Sequence, residues 1–201
     1  MELRCYDYKD AGDEQLISEM KKLDDKAFGT GPNIVGITKE ELKNILKNGF
    51  ILCAIIDGKI VSEVMLEYKK DHWYAGGIAT DPEHFRRGLG GYLMREVIKR
   101  AKDNKIKATV REDNVESIGL CVNKNGFIVT KFLKDYFGPG KDRLMMELGP
   151  EIKDYKLSED FEEASCNDKE KIKNLLDGGW IGTKLQGKDG DHYLQFSKIL
   201  K

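Results

Sequence analysis

Paired metal-ligand spacings, long apolar runs and a sizeable net charge are all missing from this chain. Its four cysteines, Cys5, Cys53, Cys121 and Cys166, are scattered through 201 residues with no Cys-x-x-Cys pair. That spacing speaks against a zinc ribbon or a disulfide framework and for buried or free thiols in a reducing compartment. His72, His84 and His192 likewise lack the spacing of metal ligands, so no metal is expected. The longest apolar run, residues 50–56, falls far short of the roughly 20 residues a spanning helix needs. The segment Met1-Glu2-Leu3-Arg4-Cys5 carries no secretory pattern, and the expectation is a cytoplasmic protein with no membrane partner. With 34 basic against 35 acidic side chains, a general electrostatic footprint for nucleic acid is absent as well. No repeat or low-complexity tract is present. A Gly-x4-Gly-Lys-Ser/Thr loop occurs nowhere, which removes the P-loop nucleotide hydrolases from consideration.

What remains is an alternation of short strand and helix patterns. Residues 3–8 read as a first strand, and 13–28 as a helix with Leu16, Met20, Leu23 and Ala27 on one side. Gly29-Thr30-Gly31-Pro32-Asn33 breaks it. Thr38 and Glu41 have capping-box spacing ahead of Leu42, Ile45 and Leu46. Residues 50–56 and 60–68 read as strands joined by a tight turn at Asp57-Gly58. The strand at 73–80 carries Gly76-Gly77, the mark of a bulge. Leu89, Leu93, Met94, Val97, Ile98 and Ala101 give the next helix its core stripe. A strand at 106–111, a helix at 115–124 and a hairpin of 127–136 with 144–148 follow.

The most informative stretch is Thr80-Asp81-Pro82-Glu83-His84-Phe85-Arg86-Arg87-Gly88-Leu89-Gly90-Gly91. Pro82 drives Asp81 toward extended backbone, so the strand closes there. Gly88, Gly90 and Gly91 let the chain turn and approach a ligand without a Cβ in the way. The helix that opens here begins with unpaired N–H groups and a positive dipole end, beside Arg86 and Arg87. Such a terminus suits a pyrophosphate or similar anion. The order Gly88-x-Gly90-Gly91 is not the dinucleotide fingerprint.

This loop resembles the Gln/Arg-x-x-Gly-x-Gly/Ala segment of the GNAT superfamily of acyl-CoA-dependent N-acyltransferases. The order of elements over residues 2–148, about three-quarters of the chain, is similar too, and Asn125-Gly126-Phe127 resembles the family's Gly-Phe after the fourth helix. The resemblance implies an α+β (mixed α/β) fold, with a central mixed, mostly antiparallel twisted sheet flanked by helices. It implies acetyl-CoA as co-substrate, its pyrophosphate held by Arg86, Arg87, Gly88, Leu89, Gly90 and Gly91. It also implies backbone contacts from Ile78, Ala79 and Thr80 to the acetyl-pantetheine arm, and a coenzyme A contact from Asn114. The acceptor would be the primary amine of a small molecule or a peptide, attacking directly in a ternary complex.

Several positions depart from the family pattern. Phe85 stands where Gln or Arg opens the loop motif. The fourth-helix Tyr that protonates the leaving thiolate in many members is replaced by Cys121 or Val122, depending on whether one counts from Asn114 or from Gly126. The branch that acetylates protein N-termini has a strand-five Glu as base. The corresponding stretch here is Thr109-Val110-Arg111-Glu112-Asp113-Asn114, with Thr in that slot, although Asp135-Tyr136-Phe137-Gly138 resembles that branch's hairpin. Candidate bases are therefore Glu67, Asp81 and Glu112, and candidate proton donors Cys121 and Tyr136. These departures also leave open a catalytically weak or inactive acyl-CoA sensor.

The expected organisation is an N-acetyltransferase domain at 1–149 and a C-terminal appendage at 150–201. The appendage reads as an acidic connector through 151–163, a helix with Ile172, Leu175 and Leu176 inward, and a hairpin of 180–185 with 192–200, an α-β-β unit. Packing on the domain, covering the acceptor pocket and joining a homodimer are the roles open to it.

Overall fold

Local chemistry sets each element of the first half. The computed structural model describes residues 1–29, 36–102 and 104–200; the expected breaker lies, beyond Gly29, outside them. Strand β1 (Glu2–Tyr6) stops two residues short of expectation, because Asp10 N–H donates to the Asp7 carbonyl at 2.9 Å and turns the chain. Helix α1 (Glu14–Phe28) starts where the Asp13 carboxylate accepts from Gln15 and Leu16 N–H, each at 3.0 Å. Helix α2 (Lys39–Asn48) opens on the expected capping box between Thr38 and Glu41. Strands β2 (Gly49–Ile56) and β3 (Lys59–Lys69) meet at Asp57 and Gly58, both at positive φ. That pair of angles belongs to the primed turn that suits strand twist. In β4 (His72–Thr80) the pairing with β3 slips at Gly76, the expected bulge. A single 3₁₀ turn at Pro82–His84 then leads to helix α3 (Leu89–Ala101).

These elements make one compact unit, Met1–Lys102, in which β1, β2, β3 and β4 pair antiparallel in chain order. One face of that sheet offers Ile51, Cys53, Ile55, Ile60, Met65 and Ala79 to Ile17, Met20, Leu23, Leu42 and Leu46 of α1 and α2. The other face meets α3, which rests against β2, β3 and β4. Both faces being covered explains why β2 reads as a continuous apolar run and why β3 is buried from Ile60 to Leu66, its Ser62 and Glu63 included. Fully burying side chains such as Ile17 and Met20 contributes about 1.5–3 kcal/mol each.

The second unit, Asp103–Lys201, contains β5 (Ile106–Val110), α4 (Val115–Asn125), β6 (Ile128–Leu133), β7 (Arg143–Leu148), the short α5 (Pro150–Lys153), β8 (Lys156–Ser165), α6 (Lys169–Asp177), β9 (Trp180–Lys188) and β10 (Asp191–Leu200). The pairing order is β5-β7-β6-β9-β10-β8, antiparallel throughout. Gly126 at φ +73° ends α4, with the N–H groups of Gly126 and Phe127 returned to Val122 and Cys121 carbonyls.

The segment expected to be an acidic connector begins in α5 and from Lys156 onward is strand β8. Its alternation is hidden because it is an edge strand with charges on its exposed positions. The C-terminal segment is thus β-α-β-β after α5, and the boundary expected at 149/150 falls within this unit. Strand β9 joins β6 through Gly182, where a Cβ would lie 2.9 Å from Val129 Cβ. Asn123 of α4 extends the contact by donating to the Leu185 carbonyl at 2.8 Å and accepting its N–H at 2.9 Å. Cys53, Cys121 and Cys166 are buried thiols and Cys5 is exposed.

Candidate active site

The β4–α3 loop is shaped by hydrogen bonds and by left-handed backbone. The Asp81 carboxylate accepts from Glu83 N–H at 3.0 Å, and the His84 and Phe85 N–H groups close the 3₁₀ turn onto Asp81 and Pro82 carbonyls. Arg86 takes φ +61° and Gly88 φ +76°, so the left-handed conformation occurs twice in three residues. A non-glycine residue at positive φ is strained, and here it is one of the two arginines expected at the phosphate site. Gly88 is the N-cap of α3 and supplies no side chain to its first-turn N–H groups, and the space where its Cβ would sit is open. Gly90 has a different reason. Its Cβ would lie 3.2 Å from Ile78 Cγ2 and 3.8 Å from Thr80 Oγ1, so it seats the helix against β4. Ser62 hydroxyl bonds the Ala79 carbonyl at 3.0 Å and Thr80 Oγ1 at 2.8 Å, fixing the strand end that leads into the loop. Arg86 and Arg87 are exposed and form no ion pair among the described residues. An uncapped helix start with two free guanidinium groups beside it can receive a phosphate.

The first unit thus brings Ile78, Ala79 and Thr80 next to the segment Arg86 to Gly91, but it does not add the candidate bases. Lys26 at the end of α1 bridges Asp81 (2.8 Å) and Glu83 (3.0 Å). That hydrogen bond from Lys26 holds Asp81 below the usual carboxylate range, which suits an anchor more than a base. Glu67 is half-buried, pairs with Lys69 at 2.6 Å and faces Tyr74 across the strands. Four residues separate it from the position opposite Ala79, about 13 Å along a strand.

The residue opposite Ala79 is Glu63, which the sequence reading passed over. Its exposure is 0%, it lies on the α1 face between Cys53 and Ala79, and neither carboxylate oxygen has a hydrogen-bond partner among the described residues. Asp24, also buried, occupies the inward stripe of α1 and accepts from Ile37 N–H at 3.2 Å. Burial, then the Asp24 and Glu19 charges, pushes Glu63 well above its ordinary 4.5; burial also raises Asp24. The signal available in the sequence was one charged residue inside Val61-Ser62-Glu63-Val64-Met65-Leu66 and another beside Leu23 in the helix stripe.

A pH dependence follows. Folded Glu63 keeps a proton that the unfolded chain releases above 4.5, so its contribution is fully present below that pH and lost as pH rises through the folded value. Glu63→Gln copies the neutral acid and removes this loss. Melting curves should converge near about pH 4 and separate toward about pH 8, with the variant the more stable. Parallel curves across that range would contradict a neutral buried acid.

In the second unit Asn114 is the N-cap of α4, its Oδ1 accepting Ser117 N–H at 3.0 Å. Cys121 lies two turns further on, 2% exposed, and burial pushes its thiol up to about 12. An acid that weak is poorly matched to reprotonating a thiolate, while its packing is complete. Cys121→Ala should therefore cost about 1 kcal/mol of stability, the loss of one methylene-sized buried group, and leave turnover within twofold (about the noise of such assays). A large fall in rate at unchanged stability would restore the donor role. Tyr136 is exposed in the β6–β7 turn and meets Phe137 edge-on at 4.7 Å. Glu112 is buried and paired with Lys169 at 2.5 Å, which also reaches Asp142 at 3.3 Å. The C-terminal helix α6 therefore supplies a counter-charge to a candidate base, a link no local pattern announces.

Together these features define an α+β protein with an anion-receptive strand–loop–helix. The model of the Acetyltransferase (GNAT) family matches residues 17–127, more than half of the chain, and the chain belongs to that family. Solved structures agree on the fold. The ribosomal-protein-S18-alanine N-acetyltransferase of Escherichia coli superposes with a TM-score of 0.59 at 17% identity, over 73% of this chain and 93% of that one. The PaiA N-acetyltransferase of Thermoplasma acidophilum, solved with coenzyme A, gives 0.55 at 18%, over 74% and 99%. A GNAT family acetyltransferase of Elizabethkingia anophelis with acetyl-CoA bound gives 0.50 at 20%, over 56% and 83%. No curated protein matches the sequence. Among the described residues, no helix is long and apolar enough to cross a membrane.

Proposed function

We propose that the chain is an N-acetyltransferase that moves an acetyl group from acetyl-CoA to a primary amine by direct attack in a ternary complex. The observation that carries this reading is the β4–α3 loop. Its free arginines and uncapped helix start fit a pyrophosphate, and Gly88 leaves open the space a Cβ would fill. Acetyl-CoA supplies the activated acetyl group. Arg86, Arg87 and the N–H groups of the first turn hold its phosphates, with Ile78, Ala79 and Thr80 as the backbone edge for its arm.

Holding two substrates together supplies much of such an acceleration, so the chemistry does not depend on one strong acid. The solved relatives with coenzyme A or acetyl-CoA bound support the choice of co-substrate. The acceptor is an amine of a small molecule or peptide.

A second reading, an acyl-CoA sensor with little or no turnover, is favoured by one set of observations. Cys121 is a buried weak acid, Glu112 is paired with Lys169, and Asp81 is tied to Lys26. A broad amine screen that follows release of free coenzyme A thiol separates the two. Thiol release that depends on an amine supports the enzyme; tight acetyl-CoA binding without release across the panel supports the sensor.

A further inference from the structure

An unpartnered carboxyl in a protein interior requires an explanation, because burying it without a hydrogen bond costs several kcal/mol. Glu63 is such a group, with no exposure and two oxygens that have no partner among the described residues, in the central part of a strand whose neighbours Val61, Val64, Met65 and Leu66 are apolar. Its neighbour Ser62 points to the opposite face, toward α3, where it bonds the Ala79 carbonyl and Thr80 Oγ1, so it offers Glu63 nothing. The side chain lies on the face covered by α1, flanked by Cys53 of β2 and Ala79 of β4. Asp24 comes down from α1 onto the same interlayer, roofed by the backbone at Gly36 and Ile37. Glu19 on the same helix is committed to Ile60 N–H at 3.1 Å. No cation answers Glu63 from β2, β3 or β4, and Lys21, on α1, acts on Asp24 from the helix surface, where it pairs with Asp25.

Two buried carboxyls with a single backbone donor between them form a receptor for a positive charge. We propose that Asp24 and Glu63 make up the subsite that receives an ammonium group of the acceptor, which makes the substrate a cationic amine. This rests on the acetyltransferase reading for its chemistry, and on Glu63 lying opposite Ala79 of the co-substrate strand for its place. Binding is an exchange: the ammonium enters, the neutral Glu63 acid releases its proton to solvent, and the carboxylate pairs with the N⁺–H groups. An uncharged analogue that takes no proton, such as an alcohol, gains nothing there, because it leaves the acid as it was.

The test uses the full chain with n-butylamine and 1,4-diaminobutane as probes, n-butanol as uncharged control and acetyl-CoA as an independent arm. The expected result is thermal protection by the amines and not by butanol, with protons released on amine addition near neutral pH. Glu63→Gln and Asp24→Asn should each weaken amine protection at least about tenfold and Glu63→Gln should abolish proton release. Acetyl-CoA protection should be unchanged in both variants. Equal protection by butanol, protection without proton release, or full amine response in Glu63→Gln overturns the subsite. If the amines fail while acetyl-CoA protects, the subsite is wrong and the co-substrate reading stands. If amines protect as expected while acetyl-CoA does not, the amine-binding site stands, but the co-substrate reading falls and takes the site's role as an acceptor subsite with it. Proton release by the wild type decides the matter even if a variant does not fold.

Discussion

Replacing Arg86 and Arg87 together with Ala is expected to weaken acetyl-CoA binding by at least about a hundredfold. Each charge-assisted hydrogen bond to a phosphate is worth roughly 1.5–3 kcal/mol, and the pair acts on one group, so the lower end of the sum is the safer figure. About 1.4 kcal/mol is tenfold in affinity, which sets the scale. Both side chains are exposed and form no ion pair among the described residues, so the melting temperature of the free protein should hardly move. The positive φ of Arg86 adds a second consequence. Ala is no better suited to that conformation, whereas Gly is, so Arg86→Gly should lose affinity while slightly gaining stability. Calorimetric titration alongside thermal melts checks both parts. Unchanged affinity in the double variant would remove the phosphate role from this loop.

Phe196→Ala should produce the largest loss of stability. Phe196 in β10 is fully buried, opposite Gly182 on β9 and Glu162 on β8. Removing a buried ring of that size costs about 3–5 kcal/mol, or roughly 6–20 °C in melting temperature for a chain of this length. Phe161→Ala in β8, a site 54% exposed, is the control and should shift melting by a degree or two (about ±0.5 kcal/mol). Equal effects of the two would mean that the C-terminal strands do not share a core with the rest of their unit.

The parts of the fold legible in the sequence were those written in local chemistry. The Thr38–Glu41 capping box, the Asp57-Gly58 turn, the bulge at Gly76 and the Gly126 helix end are each fixed by a few adjacent residues. Strand β8 was not legible, because an edge strand bearing Glu159, Asp160, Glu162 and Glu163 looks like a solvated linker until its partner β10 is known. The glycine loop announced itself by composition, but the division of labour within it did not. Gly88 makes the turn and Gly90 makes room for β4, a distinction that depends on tertiary approach.

Among the acid–base candidates the sequence favoured exposed-looking strand ends. Asp81 and Glu112 turn out to be paired with Lys26 and Lys169, partners distant in the chain. Glu63 was hidden for the opposite reason. A single Glu in an apolar strand reads as a residue at the strand's outer face, and only the cover provided by α1 makes it a buried acid beside Asp24.

The measurement that bears most directly on the central claim is a titration of the unmodified chain with acetyl-CoA, read by calorimetry and by thermal melting. The account predicts saturable binding of one acetyl-CoA per chain, with a rise in melting temperature that tracks occupancy. No heat and no thermal protection at concentrations far above micromolar would contradict it.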